Sequence, residues 1–158
     1  MIISNDARIV SLRLGPGEDL LQGLAHVLDA EDVDGGALVA AAGSLQSLSY
    51  SVVSIGADSI PRYTNIVEEH GAIEVTGIQG HLGREADGNA TCHLHGSFAL
   101  SDGSVRAGHI YAAAVLVTVE LTVILTPEAA WKRSSVEYGD SHQMPVLLPQ
   151  QRQLATHV

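Results

Sequence analysis

The chain is short of aromatics, cations and cysteine, and each shortage excludes something. Phe, Trp and Tyr make up 4% of its 158 residues. Its interior must therefore be built from Val, Leu, Ile and Ala, which favours sheet packing with small side chains. A single cysteine, Cys92, cannot form an intramolecular disulfide, which points to a reducing compartment. Lys and Arg total 8 against 18 Asp and Glu, a formal net charge of −10. The cations are scattered apart from Lys132-Arg133, so a direct grip on a phosphate backbone is disfavoured. No stretch reaches the roughly 18 uninterrupted apolar residues of a membrane span. The opening Met1-Ile2-Ile3-Ser4-Asn5-Asp6 lacks the basic and apolar regions of a signal peptide. The expectation is a cytoplasmic protein with no membrane partner.

What is present suits one compact core: 46% hydrophobic and 16% charged residues in a length typical of a single domain. Arg8 to Leu14 alternates with the period of a half-buried strand. After Gly15-Pro16-Gly17, Glu18 and Asp19 sit where the first turn of a helix favours negative charge, and Leu20, Leu21, Leu24, Val27 and Leu28 recur at helical spacing. Gly35-Gly36 stops that segment. Ala37–Ala42 and Leu48–Val52 read as strands, 56–71 as a long connection, and Ile73 to Gly80 as another strand. Thr91–Leu100, Val105–Ala114 and Thr118–Leu125 complete a run of three, the first two joined at Ser101-Asp102-Gly103. The inventory predicts an α+β domain over 1–138, with a central, mostly antiparallel sheet and one or two helices. Residues 139–158 form a C-terminal tail, either a last docked strand or a loose arm.

The chemistry concentrates in histidines. His93 and His95 share one face of a strand, because side chains two apart do. A two-residue loop would turn His109 away from them. A three-residue loop, Ser101-Asp102-Gly103 with glycine in the left-handed position, sets Leu100 against Ser104 and therefore His95 against His109. Opposed Cβ atoms about 4.5–5.5 Å apart would let three imidazoles converge on one ion. Three neutral nitrogens with an open fourth position suit zinc, and also nickel, cobalt or iron(II). The alternative is a polar face with no metal. Glu120, a lone carboxylate in an apolar strand, needs a partner: a metal, an arginine such as Arg13 or Arg106, or a backbone amide. Cys92 belongs to the opposite, apolar face. His81 reads as a surface or loop residue, and His26, His70, His142 and His157 as structural or solvated.

Other chemistries find little support. The spacing of acids after His93-x-His95 does not match a cupin, and the chain is far too short for an amidohydrolase barrel. Gly15 to Asp19 lacks the Lys-Ser/Thr ending of a phosphate cradle, and no G-x-S-x-G occurs.

Several ordered stretches carry a resemblance: Arg13 to Leu20, Ala42 to Leu45, Gly71 to Val75, Cys92-His93-Leu94-His95-Gly96, Asp102 through Gly108-His109-Ile110, and Thr118-Val119-Glu120. Over residues 8 to about 125 the sequence resembles the PPC family, the "plants and prokaryotes conserved" domain. That resemblance implies an α+β fold assembled as a homotrimer. It also implies a metal, usually taken as zinc, at the H-x-H and G-H positions, here His93, His95 and His109. The plant-type Gly-Arg-Phe-Glu-Ile-Leu stretch, tied to partner binding, reads Gly71-Ala72-Ile73-Glu74-Val75-Thr76 here, so plant partner contacts do not carry over. No Arg-Gly-Arg-Pro AT-hook occurs, and in plant members DNA binding resides in that hook. The leading expectation is a homotrimer with a water or small anionic ligand at the metal's open position. The rivals are a DNA-associated regulatory module acting through protein partners, and a small metal-dependent hydrolase or lyase using a metal-activated water.

Overall fold

The computed structural model describes residues 2–138 and 142–152. Its elements are β1 (Arg8–Leu14), α1 (Leu20–Ala30), β2 (Gly36–Ser51), β3 (Val53–Ile55), β4 (Pro61–Tyr63), β5 (Val67–Arg84), β6 (Ala90–Leu100), β7 (Val105–Leu125), β8 (Ala129–Tyr138) and β9 (His142–Gln151). Among the described residues there is one helix, so the molecule is largely β rather than an even α+β mixture. No described helix is long and apolar enough to cross a membrane.

Three strands are far longer than the sequence pattern suggests: β2 has 16 residues, β5 has 18 and β7 has 21. The two late segments expected on either side of Val115 are one continuous β7. Bulges explain the discrepancy, because an extra residue flips the alternation without ending the ladder. The β2–β7 register shifts four times between Leu38 and Tyr50. The interval 56–71 is not an open connection either; Val53–Ile55 and Pro61–Tyr63 pair as a small ribbon, and Val67 already begins β5.

β2 pairs antiparallel with β5 and β7, and β6 pairs antiparallel with the same two strands, so these four close a ring of pairings. β1 extends the sheet from β7. The β8–β9 hairpin joins β5 through the parallel bridge Arg84↔Lys132. The segment 142–151 of the expected tail is therefore a docked strand, while 139–141 and 153–158 lie outside the described residues.

Glu18 and Asp19 precede the helix rather than occupying its first turn. Asp19 is the N-cap, its carboxylate accepting from Gln22 N at 2.9 Å, and it satisfies one of the orphan donors of that end. Leu20, Leu24, Val27 and Leu28 are buried and pack on β5, β6 and β7 with Leu94, Phe98 and Ile110. Each such leucine contributes about 1.5–3 kcal/mol by leaving water. The acidic segment after α1 is anchored by arginines: Asp34 pairs with Arg84 at 3.2 Å and Arg152 at 3.3 Å.

β5 and β6 approach closely at Gly80, where a Cβ would fall 2.0 Å from the His93 carbonyl oxygen. Gly80→Ala must therefore push β6 outward. The expected cost is roughly 1–3 kcal/mol, which at about 2–4 °C per kcal/mol for a chain of this size lowers the Tm by several degrees; an unchanged Tm by calorimetry would contradict the tight pairing.

Candidate metal centre

The β6–β7 turn sets the site. Leu100 N donates to Ser104 O at 2.8 Å, Gly103 N to Leu100 O at 2.9 Å, and Gly103 adopts a left-handed φ of +82°. Asp102 stiffens it by accepting from the backbone and hydroxyl of Ser104. This is the three-residue loop, and from it the ladder runs Ala99↔Val105, Phe98↔Arg106, Ser97↔Ala107, Gly96↔Gly108 and His95↔His109. Pairing of β6 with β7 stops there. His93, two residues further along β6, remains on the same face, while Leu94, Phe98 and Ile110 turn inward and are buried.

One ring nitrogen from each of His93, His95 and His109 lies within 4.8 Å of one from each of the others. Among the described residues no other trio of His, Cys, Asp or Glu is so arranged. The ring centroids are 4.9–5.3 Å apart. His93 Nε2 and His95 Nε2 are 3.2 Å apart. Two nitrogens bound at 2.0–2.1 Å to a tetrahedral ion would be separated by about 3.3 Å, so this pair already has a chelating spacing. His109 Nδ1 is buried with no hydrogen-bond partner, and a buried ring nitrogen left unpaired is costly unless something occupies it. The donor set, all imidazole, fits a borderline divalent cation.

Burial, first of all, lowers His109 to about 4, helped by His93, His95 and the Arg133 guanidinium. His93 is lowered by burial and by His95, Arg133 and His81. Both rings are neutral at pH 7, the form in which an imidazole can give a lone pair to a cation.

The remaining candidates separate. Glu120 is exposed, accepts from the Thr118 hydroxyl at 3.0 Å and lies opposite Arg13, which itself donates to Thr118. It does not reach the histidines. Arg106 pairs with Glu69 instead, at 2.9 Å. His81 stands directly across from His93 on β5 but stacks on Trp131, with centroids 4.1 Å apart, rather than joining the trio. Cys92 packs against the core, and burial pushes its thiol up to about 12, which leaves it unreactive.

Three residues around the trio escaped the sequence reading. Tyr111, two residues beyond His109, stacks edge-on to it at 4.7 Å, and the period of two was the signal for it. Tyr63 reaches His109 at 5.3 Å from the β3–β4 ribbon, and Arg133 arrives from β8; neither has a local signal. With Leu21, Ile110 and Pro145 they line a cavity of ≈ 260 Å³ bordered by His93 and His109. A larger hollow of ≈ 770 Å³ between β1 and α1 holds His26 but no converging donor set.

The depressed histidines make the metal-free protein acid-sensitive. Their unfolded-state value lies near 6.5. Between there and about 4 the unfolded chain takes up a proton that folded His109 refuses, so stability falls as pH is lowered through that window. Above 6.5 this contribution to the pH dependence vanishes. Calorimetry on chelator-treated protein should show Tm dropping from pH 7 to pH 5, less steeply in His109→Gln; equal slopes would exclude His109 as the cause.

The model of the Plants and Prokaryotes Conserved (PCC) domain matches residues 1–127. No curated protein matches the chain. Among solved structures, a hypothetical protein from Salmonella enterica is 21% identical with a TM-score of 0.76, over 96% of this chain and 99% of that one. A plant- and prokaryote-conserved protein from Pyrococcus horikoshii is 20% identical with a TM-score of 0.71, over 97% and 100%. A metal-containing protein from Archaeoglobus fulgidus is 23% identical with a TM-score of 0.70, over 85% and 91%. All three share the overall fold of this chain, and with the family model spanning four-fifths of its length, the chain belongs to the Plants and Prokaryotes Conserved domain family.

Proposed function

We propose that the protein is a divalent-metal-binding member of its family, holding one ion per chain on His93, His95 and His109, with zinc the first expectation. The observation that carries this reading is the convergence of three imidazole nitrogens within 4.8 Å, two of them already at a chelating 3.2 Å. The metal content named for the Archaeoglobus fulgidus relative supports it. Three protein ligands leave a coordination position open, and a bound ion would supply Lewis acidity there. The chain's own residues neutralise no charge at the site: His93 and His109 are uncharged, and Arg133 adds a positive charge nearby, so the open position favours a small anion over a cation.

The working assembly is a cytoplasmic homotrimer. Direct DNA binding has no support in the charge distribution, with a net −10 and no basic run.

Elemental analysis of purified protein after exhaustive dialysis tests the assignment. One equivalent of metal per chain is expected, falling at least tenfold in His95→Ala and in His109→Ala, with the trimer intact by light scattering. Metal content unchanged in both variants would refute the ligand set, and a monomeric wild type would refute the assembly.

A further inference from the structure

The ≈ 260 Å³ cavity has a composition at odds with the rest of the molecule. The chain carries 18 acidic residues, yet none lines it. Its one formal charge is the Arg133 guanidinium, whose side chain is 21% exposed. Arg133 is oriented from behind. Nε donates to Glu85 at 3.2 Å, and Nη2 donates to Thr91 Oγ1 at 2.9 Å and Cys92 O at 3.2 Å. Nη1 makes no hydrogen bond among the described residues, so the guanidinium is held rigid with donor capacity to spare, the condition under which it recognises a planar oxyanion. Tyr63 and Tyr111 flank the same space, edge-on to one another at 6.4 Å. The Tyr111 hydroxyl is shared with Ser51 Oγ at 3.0 Å, whereas the Tyr63 hydroxyl has no protein partner among the described residues. Leu21, Ile110 and Pro145 give the other walls an apolar surface.

We infer that this cavity binds a small carboxylate with a compact apolar body, its carboxylate on Arg133 beside the three-histidine centre and its body between the two tyrosines and Leu21. The inference rests on the metal reading above and adds to it the ligand class and the residues that select it. The volume lies below the about 300–1,000 Å³ of sites that take drug-sized molecules, which suits a small ligand. The hydrocarbon walls at Leu21, Ile110 and Pro145 favour a ligand with an apolar body over phosphate or a polyol, whose further polar atoms would face them. Glu85 already balances the guanidinium on its far side, so what a neutral isostere loses is the charge-assisted hydrogen bond to the spare Nη1 donors, and sites built around a polar partner reject analogues that lack it.

Isothermal titration of zinc-loaded protein with benzoate, isobutyrate, benzamide and inorganic phosphate tests this, with zinc content measured on the same samples. Benzoate or isobutyrate should bind saturably, and benzamide and phosphate at least tenfold more weakly. Arg133→Gln should weaken carboxylate binding at least tenfold while keeping wild-type zinc content. Because Arg133 also ties β8 to β6, a second variant stands apart from that network: Leu21→Phe, on α1, fills the cavity and should block benzoate without loss of zinc. Equal affinity for benzamide and benzoate, carboxylate affinity within twofold of wild type in a folded Leu21→Phe or Arg133→Gln protein, or no binding of either carboxylate to zinc-replete protein overturns the carboxylate site and leaves the metal centre standing. A wild type that retains no zinc overturns both.

Discussion

Antiparallel pairing between β6 and β7 sets His95 directly against His109 and leaves His93 on the same face just beyond, and that pairing is set at the turn that follows Leu100, five residues from His95 along β6. A residue's face in a ladder is decided by parity, so inserting or removing one position between Leu100 and Ser104 would send His109 to the other side of the sheet. The Ser101-Asp102-Gly103 turn avoids this by placing glycine where φ is +82°, a conformation that costs other residues dearly. Asp102 reinforces it by satisfying Ser104 twice. The register is thus a local property with a consequence at longer range.

A second constraint is desolvation. Imidazoles partly removed from water lose the protonated form first, and the two inner ones, His93 and His109, are neutral for that reason before any neighbour acts. Neutrality makes them ligands. Burial also leaves His109 Nδ1 without a hydrogen-bond partner, an unfavourable state for a ring nitrogen. The outermost ring, His95, is exposed and offers the side from which an ion can enter.

Peripheral elements supply what the central strands lack. The β3–β4 ribbon brings Tyr63 over His109, and the β8–β9 hairpin brings Arg133 and Pro145. β8 can come that close because Gly83 has no side chain; a Cβ there would lie 2.2 Å from the Trp131 carbonyl oxygen. In a chain with ten more acidic than basic residues, one arginine locked by Glu85, Thr91 and the Cys92 carbonyl gives the cavity its own electrostatic sign.

Much of this was legible in the amino-acid order. Alternation identified β1, β6 and both halves of β7, helical spacing identified α1, and His93-x-His95 with a three-residue turn was enough to bring His109 opposite His95, because strand parity and turn geometry depend only on neighbours in the chain. The merging of short apolar runs into β2 and β7 was not legible: bulges reset the alternation, and only the partner strand keeps the ladder continuous through them. Glu120 had the signature of a buried carboxylate, since apolar neighbours in sequence say nothing about whether a strand's second face is covered, and here that face is open to solvent. Tyr63 and Arg133 lie 46 and 24 residues from His109. Their arrival beside it was decided by how the ribbon and the hairpin fold back on the ring of strands, because long-range packing depends on the shapes of surfaces that exist only once the sheet has formed.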